Sequence, residues 1–506
     1  MKKIILINPP QMYAKSWVTA GVNPPLGLMY LSASLRNNGY SPSIIDAVVE
    51  APNNIFEIDD GFSGRGLSFK DIISRIPIDA GLIGISNLFS FSYPLVRRLT
   101  YEIKENFPEK LIVLGGAHPS ATPIQTVSES SIDFVIISEG DLTTVELADN
   151  LDNSMALSKI GGLAYKSENG KPVFNPKTRY IENLDSVPFP KRNSVPLELY
   201  YEIGSPHGAC QGRWTPILSS RGCPFQCTFC TPNLWDRRYR VRTAENVLSE
   251  IEQCMKDFNI TEFLFEDENF TVNKKRTLEI CNGIINKKLN IRWQTPNGIR
   301  ASATDEEMLD AMKRSGCHHI TVAPESGSER VLNEIIKKQQ DNNDVTKVVK
   351  YASKIGMKTA AFFVSGLPGE TVEDVEMSTD YACTLAKEGL DEIAISRFVP
   401  LPGSELYEKL VREGKFDGSW LKLTAANDLS LEESFSEQIS TEELNRLIRK
   451  AYLRFYITRT FFHPFKILMS IVNLLRKKAE LKTERTLINF FFKNTRSKVM
   501  VDSGKK

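Results

Sequence analysis

Short apolar runs alternate with helical spacings from the first residues of the chain. Lys3–Asn8 is an apolar run stopped by Pro9-Pro10, and Ser43–Asp46, 81–86, 111–114 and 134–137 repeat the pattern. Leu26, Leu28, Met29, Leu31 and Leu35 recur at helical spacing over 25–37. Short apolar strands separated by helices predict a parallel sheet with right-handed crossovers. Residues 48–66 lack periodicity and read as a long loop, and Asp141 reads as the cap of the helix after 134–137. Two runs flanking Glu168-Asn169-Gly170, at 161–166 and 172–175, predict a hairpin.

A second alternation starts at Thr215. Strand patterns fall at 215–220, 262–265, 292–295, 319–322, 358–364 and 392–396, with helical stretches between them. Thr304-Asp305-Glu306-Glu307 reads as a capping box ahead of one of these helices. Beyond 408 the texture is polar and helical. From Tyr452 it becomes aromatic and basic, with Phe455, Phe461, Phe462, Phe465, Leu468 and Leu475 among lysines and arginines. The fold class is therefore α/β. An amino-terminal doubly wound parallel sheet (1–150) and a connector (151–214) precede a partial six-unit βα barrel of TIM type (215–407). A helical carboxyl-terminal region (408–506) follows.

Composition changes this picture in two ways. Eight cysteines in 506 residues are no disulfide scaffold, and Cys210, Cys254, Cys281, Cys317 and Cys383 read as isolated buried thiols. The net charge of +1 conceals a tail, 451–506, with thirteen Lys/Arg and three Asp/Glu, hence +10 against −9 for the rest. An acidic body argues against a nucleic-acid binder, whereas the tail suits an anionic surface. No stretch reaches the ~18 apolar residues of a membrane span, and the apolar run at the amino terminus is too short to read as a signal peptide. The expected location is cytoplasmic, with peripheral contact to the inner membrane face through 452–480 as one reading and a helix packed over the barrel mouth as the other.

The candidate chemistry centres on Cys223, Cys227 and Cys230, spaced C-x3-C-x2-C on the loop after the first barrel strand. Three thiolates suit an iron–sulfur cube with one open iron, or a zinc site completed by His207 or Cys210. Paired ligands typical of structural zinc are missing from this stretch. Acids at Glu266-Asp267-Glu268, the amide and guanidinium of Asn297 and Arg300, and Glu325-Ser326 follow the next three strands. Such strand ends hold the chemistry of barrel folds. The first sheet ends its strands in Ser86, in Gly115-Gly116-Ala117-His118-Pro119 and in Glu139-Gly140, small or polar residues that admit a close ligand. His118 reads as a turn histidine bonded to backbone. His318 and His319, as neighbours on a strand, face opposite ways and read as packing groups.

Cys223-Pro224-Phe225-Gln226-Cys227-Thr228-Phe229-Cys230 resembles the signature loop of radical S-adenosylmethionine (SAM) enzymes. Ala323-Pro324-Glu325-Ser326-Gly327-Ser328 and Gly366-Leu367-Pro368-Gly369-Glu370-Thr371 resemble two further turns of that family. Residues 1–150 resemble the cobalamin-binding domain ahead of many such barrels, although the D-x-H-x-x-G motif is missing and His118 is assigned no cobalt ligation. The resemblance implies a [4Fe-4S] cluster on the three cysteines. It implies SAM bound by Phe229, Asp267 or Glu268, Asn297, Arg300, Glu325 and Ser326. Cobalamin would lie against Ser86, Gly115, Gly116, Glu139 and Gly140. It further implies an external electron donor of flavodoxin or ferredoxin type and a small-molecule substrate, lipid-soluble if the tail meets a membrane. The implied reaction is C-methylation of an unactivated carbon through a 5′-deoxyadenosyl radical and methylcobalamin. Oxidative cyclisation or rearrangement of a tetrapyrrole or terpenoid is the alternative. A non-catalytic zinc-stabilised binding protein is a reading from a different class.

Overall fold

A computed structural model of the chain describes residues 3–13, 21–58, 63–231, 234–418, 434–489 and 491. Seven strands form the first sheet, in the order Pro172–Asn175, Leu163–Lys166, Phe134–Ile136, Leu111–Gly115, Ala80–Ser86, Lys3–Asn8, Ser43–Asp46. The last five are parallel and the hairpin at the other edge is antiparallel. Ile4, Ile5, Leu6 and Ile7 are all buried, as expected of a strand covered by helices on both faces. Alternate residues feed two cores, one around Ile5, Ile7 and Leu95 and the other around Leu6, Leu35 and Leu82.

The second sheet has six strands in sequential order, all parallel: Trp214–Ile217, Glu262–Phe265, Arg292–Ile299, Cys317–Glu325, Lys358–Ser365 and Glu392–Arg397. Phe263 and Phe265 point toward the helices, where Phe265 meets Trp293 edge to face and Phe270 packs tilted against both. Leu264 points the other way, onto Tyr200 and Trp214. The connector is locked to the barrel by Arg192. Its buried guanidinium donates to Glu250 at 2.7 Å and to the Pro216 carbonyl at 3.1 Å.

Several expectations are corrected. Part of 48–66 is ordered: Ile55–Glu57 and Ser63–Arg65 join Gln11–Tyr13 in a small antiparallel sheet, while 59–62 lie outside the described residues. Backbone pairing supplied the order that side-chain periodicity did not reveal. The cap of Glu306–Arg314 is Asp305, accepting from the Met308 N–H at 3.0 Å, so a single side-chain cap takes the place of the predicted box. A full capping box does form at Thr371 and Asp374. The segment after the fourth barrel strand, one of the expected helical stretches, contains a π-helix, Val331–Ile335. Cys210 is half-buried rather than buried.

Among the described residues from 434 onward stand three helices, Thr441–Phe462, Pro464–Arg476 and Lys482–Ile488. The last closes the gap between the first and last barrel strands. Thr483 donates through its backbone N–H (3.0 Å) and hydroxyl (2.8 Å) to Glu392, the first residue of the sixth strand. Arg485 donates to the carbonyls of Pro206 and Gly208, just ahead of the first strand. Among the described residues no helix is long and apolar enough to cross a membrane.

Candidate active site

The cysteine loop is pinched at its base. Ser220–Arg221 pairs antiparallel with Arg240–Val241, so the described residues between the two strands bulge from the barrel top. The first strand therefore ends at Ile217, and Ser220–Arg221 is a separate short strand. Gly222 has φ 90°, and a Cβ there would lie 2.0 Å from the Arg238 carbonyl oxygen, which excludes any side chain before the first cysteine. The loop is also held from the far side. Thr228 donates its N–H to Ile336 O (2.9 Å) and its hydroxyl to Ile335 O (2.7 Å), while the Leu406 N–H donates to Thr228 O (3.1 Å). The π-helix thus aims its carbonyls at the loop. Phe229 packs with Val331, Leu332 and Leu367.

Around these thiols stand a carboxylate, a lysine and an arginine. Glu268 accepts the Gly222 N–H at 3.2 Å and the Trp235 indole N–H, and burial pushes its carboxyl up to about 7. Arg300 lies 3.7 Å from the centroid of the Phe225 ring and donates to the carbonyls of Lys338 (2.7 Å) and Gln339 (2.6 Å). Lys338 donates to Glu325 at 2.7 Å, and Glu325 itself has a left-handed backbone, φ 66°. Burial pushes the thiols of Cys223 and Cys227 above their ordinary value, against the pull of Arg300 and Lys338.

The other residues named from the sequence are engaged differently. Asp267 is buried and accepts from the Ser219 N–H (3.1 Å) and hydroxyl (2.7 Å) and from the Ser220 hydroxyl, so it fastens the barrel strand beneath the loop. Asn297 is exposed and donates to Glu266 O at 2.9 Å. The Ser326 hydroxyl is buried, accepts the Ser328 N–H at 3.1 Å and meets the Ser378 hydroxyl at 3.0 Å. Glu370 accepts the N–H groups of Gly366 and Leu367 and closes its own turn.

On the first sheet, Ser86 and Gly115 pair at the strand ends. Gly116 has φ 122°, and a Cβ there would meet the Asn87 carbonyl oxygen at 2.4 Å. Gly140 opens the helix Gly140–Asp149 beside Leu31. His118 bonds the hydroxyls of Ser90 (3.2 Å) and Thr122 (3.3 Å) rather than backbone alone, and burial holds it neutral with its pKa down at about 3. Asp141 does not cap its helix. Its carboxylate takes both Arg221 nitrogens, at 2.9 and 3.1 Å.

That last contact joins the two sheets. Arg221, two residues before Cys223, also donates to Glu139 at 3.0 Å, and Arg240 donates to Glu139 at 2.9 Å. All four groups are buried. Burial alone would raise Asp141, yet the Arg221 guanidinium outweighs it and holds the carboxyl below its usual range. Ser138, with φ 66°, donates its hydroxyl to Leu234 O in the cysteine loop. Glu139, named from the sequence for cofactor contact, thus commits its carboxylate to the junction. Arg221, Arg240, Trp235 and Lys338 were missed, and Asp141 was read as a helix cap rather than as the partner of Arg221. Their partners are distant in the chain, and only the Arg221-Gly222-Cys223 adjacency carried a signal.

The donor set fits an iron–sulfur cube better than a zinc ion. Among the described residues no three of His, Cys, Asp and Glu converge on a point that could hold one metal ion. A cube spreads its thiolates over separate irons. His207 is engaged elsewhere, its Nδ1 3.0 Å from Glu266 and its N–H donating to Asn23, and Cys210 lies beside Gln294. His318 and His319 approach Glu262 (3.0 Å) and Glu392 (3.6 Å), both carboxylates at the starts of barrel strands.

Fold and site together define a class, a two-cofactor enzyme with an iron–sulfur barrel facing a dinucleotide-type sheet. The comparisons agree. The radical SAM superfamily profile matches residues 217–382 and the B12-binding domain profile matches 18–148. An uncharacterized methyltransferase of Pyrococcus horikoshii is 33% identical over 487 residues, 94% of this chain and 98% of the relative. Cytidylyl-2-hydroxyethylphosphonate methyltransferase of Streptomyces wedmorensis is 30% identical over 449 residues, covering 82% and 83%. The radical SAM methyltransferase TsrM of Kitasatospora setae, solved with tryptophan and a SAM analogue, shares the fold with TM-score 0.64 at 18% identity, covering 82% and 76%. The chain belongs to the cobalamin-dependent radical SAM enzymes, with a [4Fe-4S] cluster, SAM and cobalamin as its cofactors.

Proposed function

We propose that the enzyme transfers a methyl group to an unactivated carbon of a small organic molecule. The observation that carries the reading is the buried junction of Arg221 with Glu139 and Asp141, which ties the end of the cobalamin-type sheet to the cysteine loop. The whole-length likeness to a methyltransferase supports the same reading.

Cys223, Cys227 and Cys230 would hold the cluster. Glu268 would receive the SAM ammonium, because a carboxylate raised by burial gains most from a cation beside it. Arg300, stacked on Phe225, would steady the loop and orient the SAM carboxylate. Glu325, held by Lys338, and the Ser326 turn would frame the ribose. Asn297, exposed at the barrel mouth, would contact SAM or substrate, and Asp267 would act by positioning the strand under the loop. Phe229 would wall the cluster. Ser86, Gly115, Gly116 and Gly140 would leave room for cobalamin, with Glu139 acting through the junction. When bound, the cluster delivers the electron that cleaves SAM and cobalamin carries the methyl group; the chain aligns them and excludes water. A one-electron protein donor of flavodoxin or ferredoxin type would reduce the cluster.

Anaerobic purification with cobalamin, followed by SAM cleavage and product mass, tests the proposal. The expected product gains one CH2. A product without that gain, as in oxidative cyclisation or rearrangement, overturns the methylation reading. Cys230→Ala should abolish 5′-deoxyadenosine formation while leaving bound cobalamin unchanged.

A further inference from the structure

The tail helices carry a surface that neither the barrel nor the cofactor site uses. In Thr441–Phe462, Leu444, Leu447, Ile448, Ala451 and Phe455 are buried, mainly against the helix Val372–Lys387 and the barrel. The opposite face presents Leu453, Ile457 and Phe461, which are 63%, 60% and 80% exposed. Their spacing of four residues makes one stripe along the helix. Pro464–Arg476 continues it with Phe465 at 81%, Leu468 at 55% and Leu475 at 72%. Single exposed apolar side chains are ordinary, but six of them on two consecutive helices mark an interaction surface.

Charge selects the occupant. From Leu444 through Ala479 the chain has nine Lys/Arg and no Asp or Glu. The basic groups turned toward the barrel are neutralised: Lys450 by Glu376 at 2.6 Å, Arg454 by Asp380 at 2.7 Å, Lys466 by Asp391 at 3.1 Å. Arg449 stands one step ahead of the stripe, and Arg476, Lys477 and Lys478 stand past its far end, all exposed. A two-fold pairing of this face with a second copy would set the same sign of charge against itself. An anionic lipid surface accepts both features, with acyl chains taking the stripe and headgroup phosphates taking the cations at its ends. We infer that this face seats the enzyme on an anionic lipid surface. The inference stands apart from the reaction proposed above.

The test uses the full chain carrying its cluster and cobalamin. Sedimentation with vesicles of phosphatidylglycerol and phosphatidylcholine is compared with pure phosphatidylcholine, for the parent and for Phe461→Glu/Phe465→Glu. The parent should bind the anionic vesicles and release with salt, and the double variant should partition about a hundredfold less, from two exposed phenyl groups no longer buried in lipid. Unchanged SAM cleavage by the double variant in solution shows that its fold is intact. Three results would overturn the inference: no vesicle binding by the parent, equal binding by the variant, or a dimer in light scattering that the variant abolishes.

Discussion

Glu370 carries its carboxylate into a buried turn, where the backbone N–H groups of Gly366 and Leu367 and the charge of Arg330 offset its burial only in part. Burial raises it to about 7. The folded chain then keeps a proton that the unfolded chain releases from about pH 4.5. Stability therefore falls as pH rises from about 4.5 to about 7. Glu370→Gln keeps the acceptor and removes the charge. Urea denaturation should show a flatter pH profile and a gain of up to about 3 kcal/mol at pH 8. A residue that looked like a family marker thus has a local physical task. The same holds for Asp267, whose acid neighbours suggested ligand contact and whose oxygens go to Ser219 and Ser220.

At the scale of an element, the helix Lys482–Ile488 closes the barrel through Thr483 and Arg485. Burial works against the Glu392 carboxylate, but the His319 ring 3.6 Å away and the hydrogen bonds from Thr483 outweigh it and hold it at about 2. That stabilisation is complete above the unfolded value near 4.5 and is lost as pH falls toward 2. Thr483→Val removes the hydroxyl donor. It should cost about 1 kcal/mol at neutral pH and lose less stability than the parent as pH falls from about 5 to 2, because its folded carboxyl sits nearer the unfolded value, read by denaturation at each pH. The sequence placed an aromatic, basic helix in this region but could not divide it. Arg485 and Thr483 meet partners more than ninety residues away, and helical periodicity is blind to them.

At the scale of the molecule, the two sheets are joined by a buried ion network, which favours one geometry more than it adds stability. Glu139, Asp141, Arg221 and Arg240 sit between 3% and 7% exposed. Asp141→Asn leaves Arg221 a weaker, neutral partner and should destabilise by about 2 kcal/mol or more. Its diagnostic effect lies elsewhere. The ratio of 5′-deoxyadenosine to methylated product should rise several-fold, since the cysteine loop keeps its ligands while its register to the cobalamin sheet loosens. A coupled ratio equal to the parent's would reduce the network to a folding contact. The parent should also unfold in one calorimetric transition, and the variant in two.

The chain itself determined the strands, their parallel order, the cysteine loop and the two-part architecture. These rest on local periodicity, spacing and turn chemistry, which act between neighbours in sequence. Tertiary structure alone decided that Arg221 reaches Asp141 and Glu139, that Lys338 holds Glu325, and that the third tail helix closes the barrel while the first two leave an apolar face outward. Each depends on groups brought together by packing two sheets, and a charged side chain carries no mark of its distant partner until burial forces the pairing.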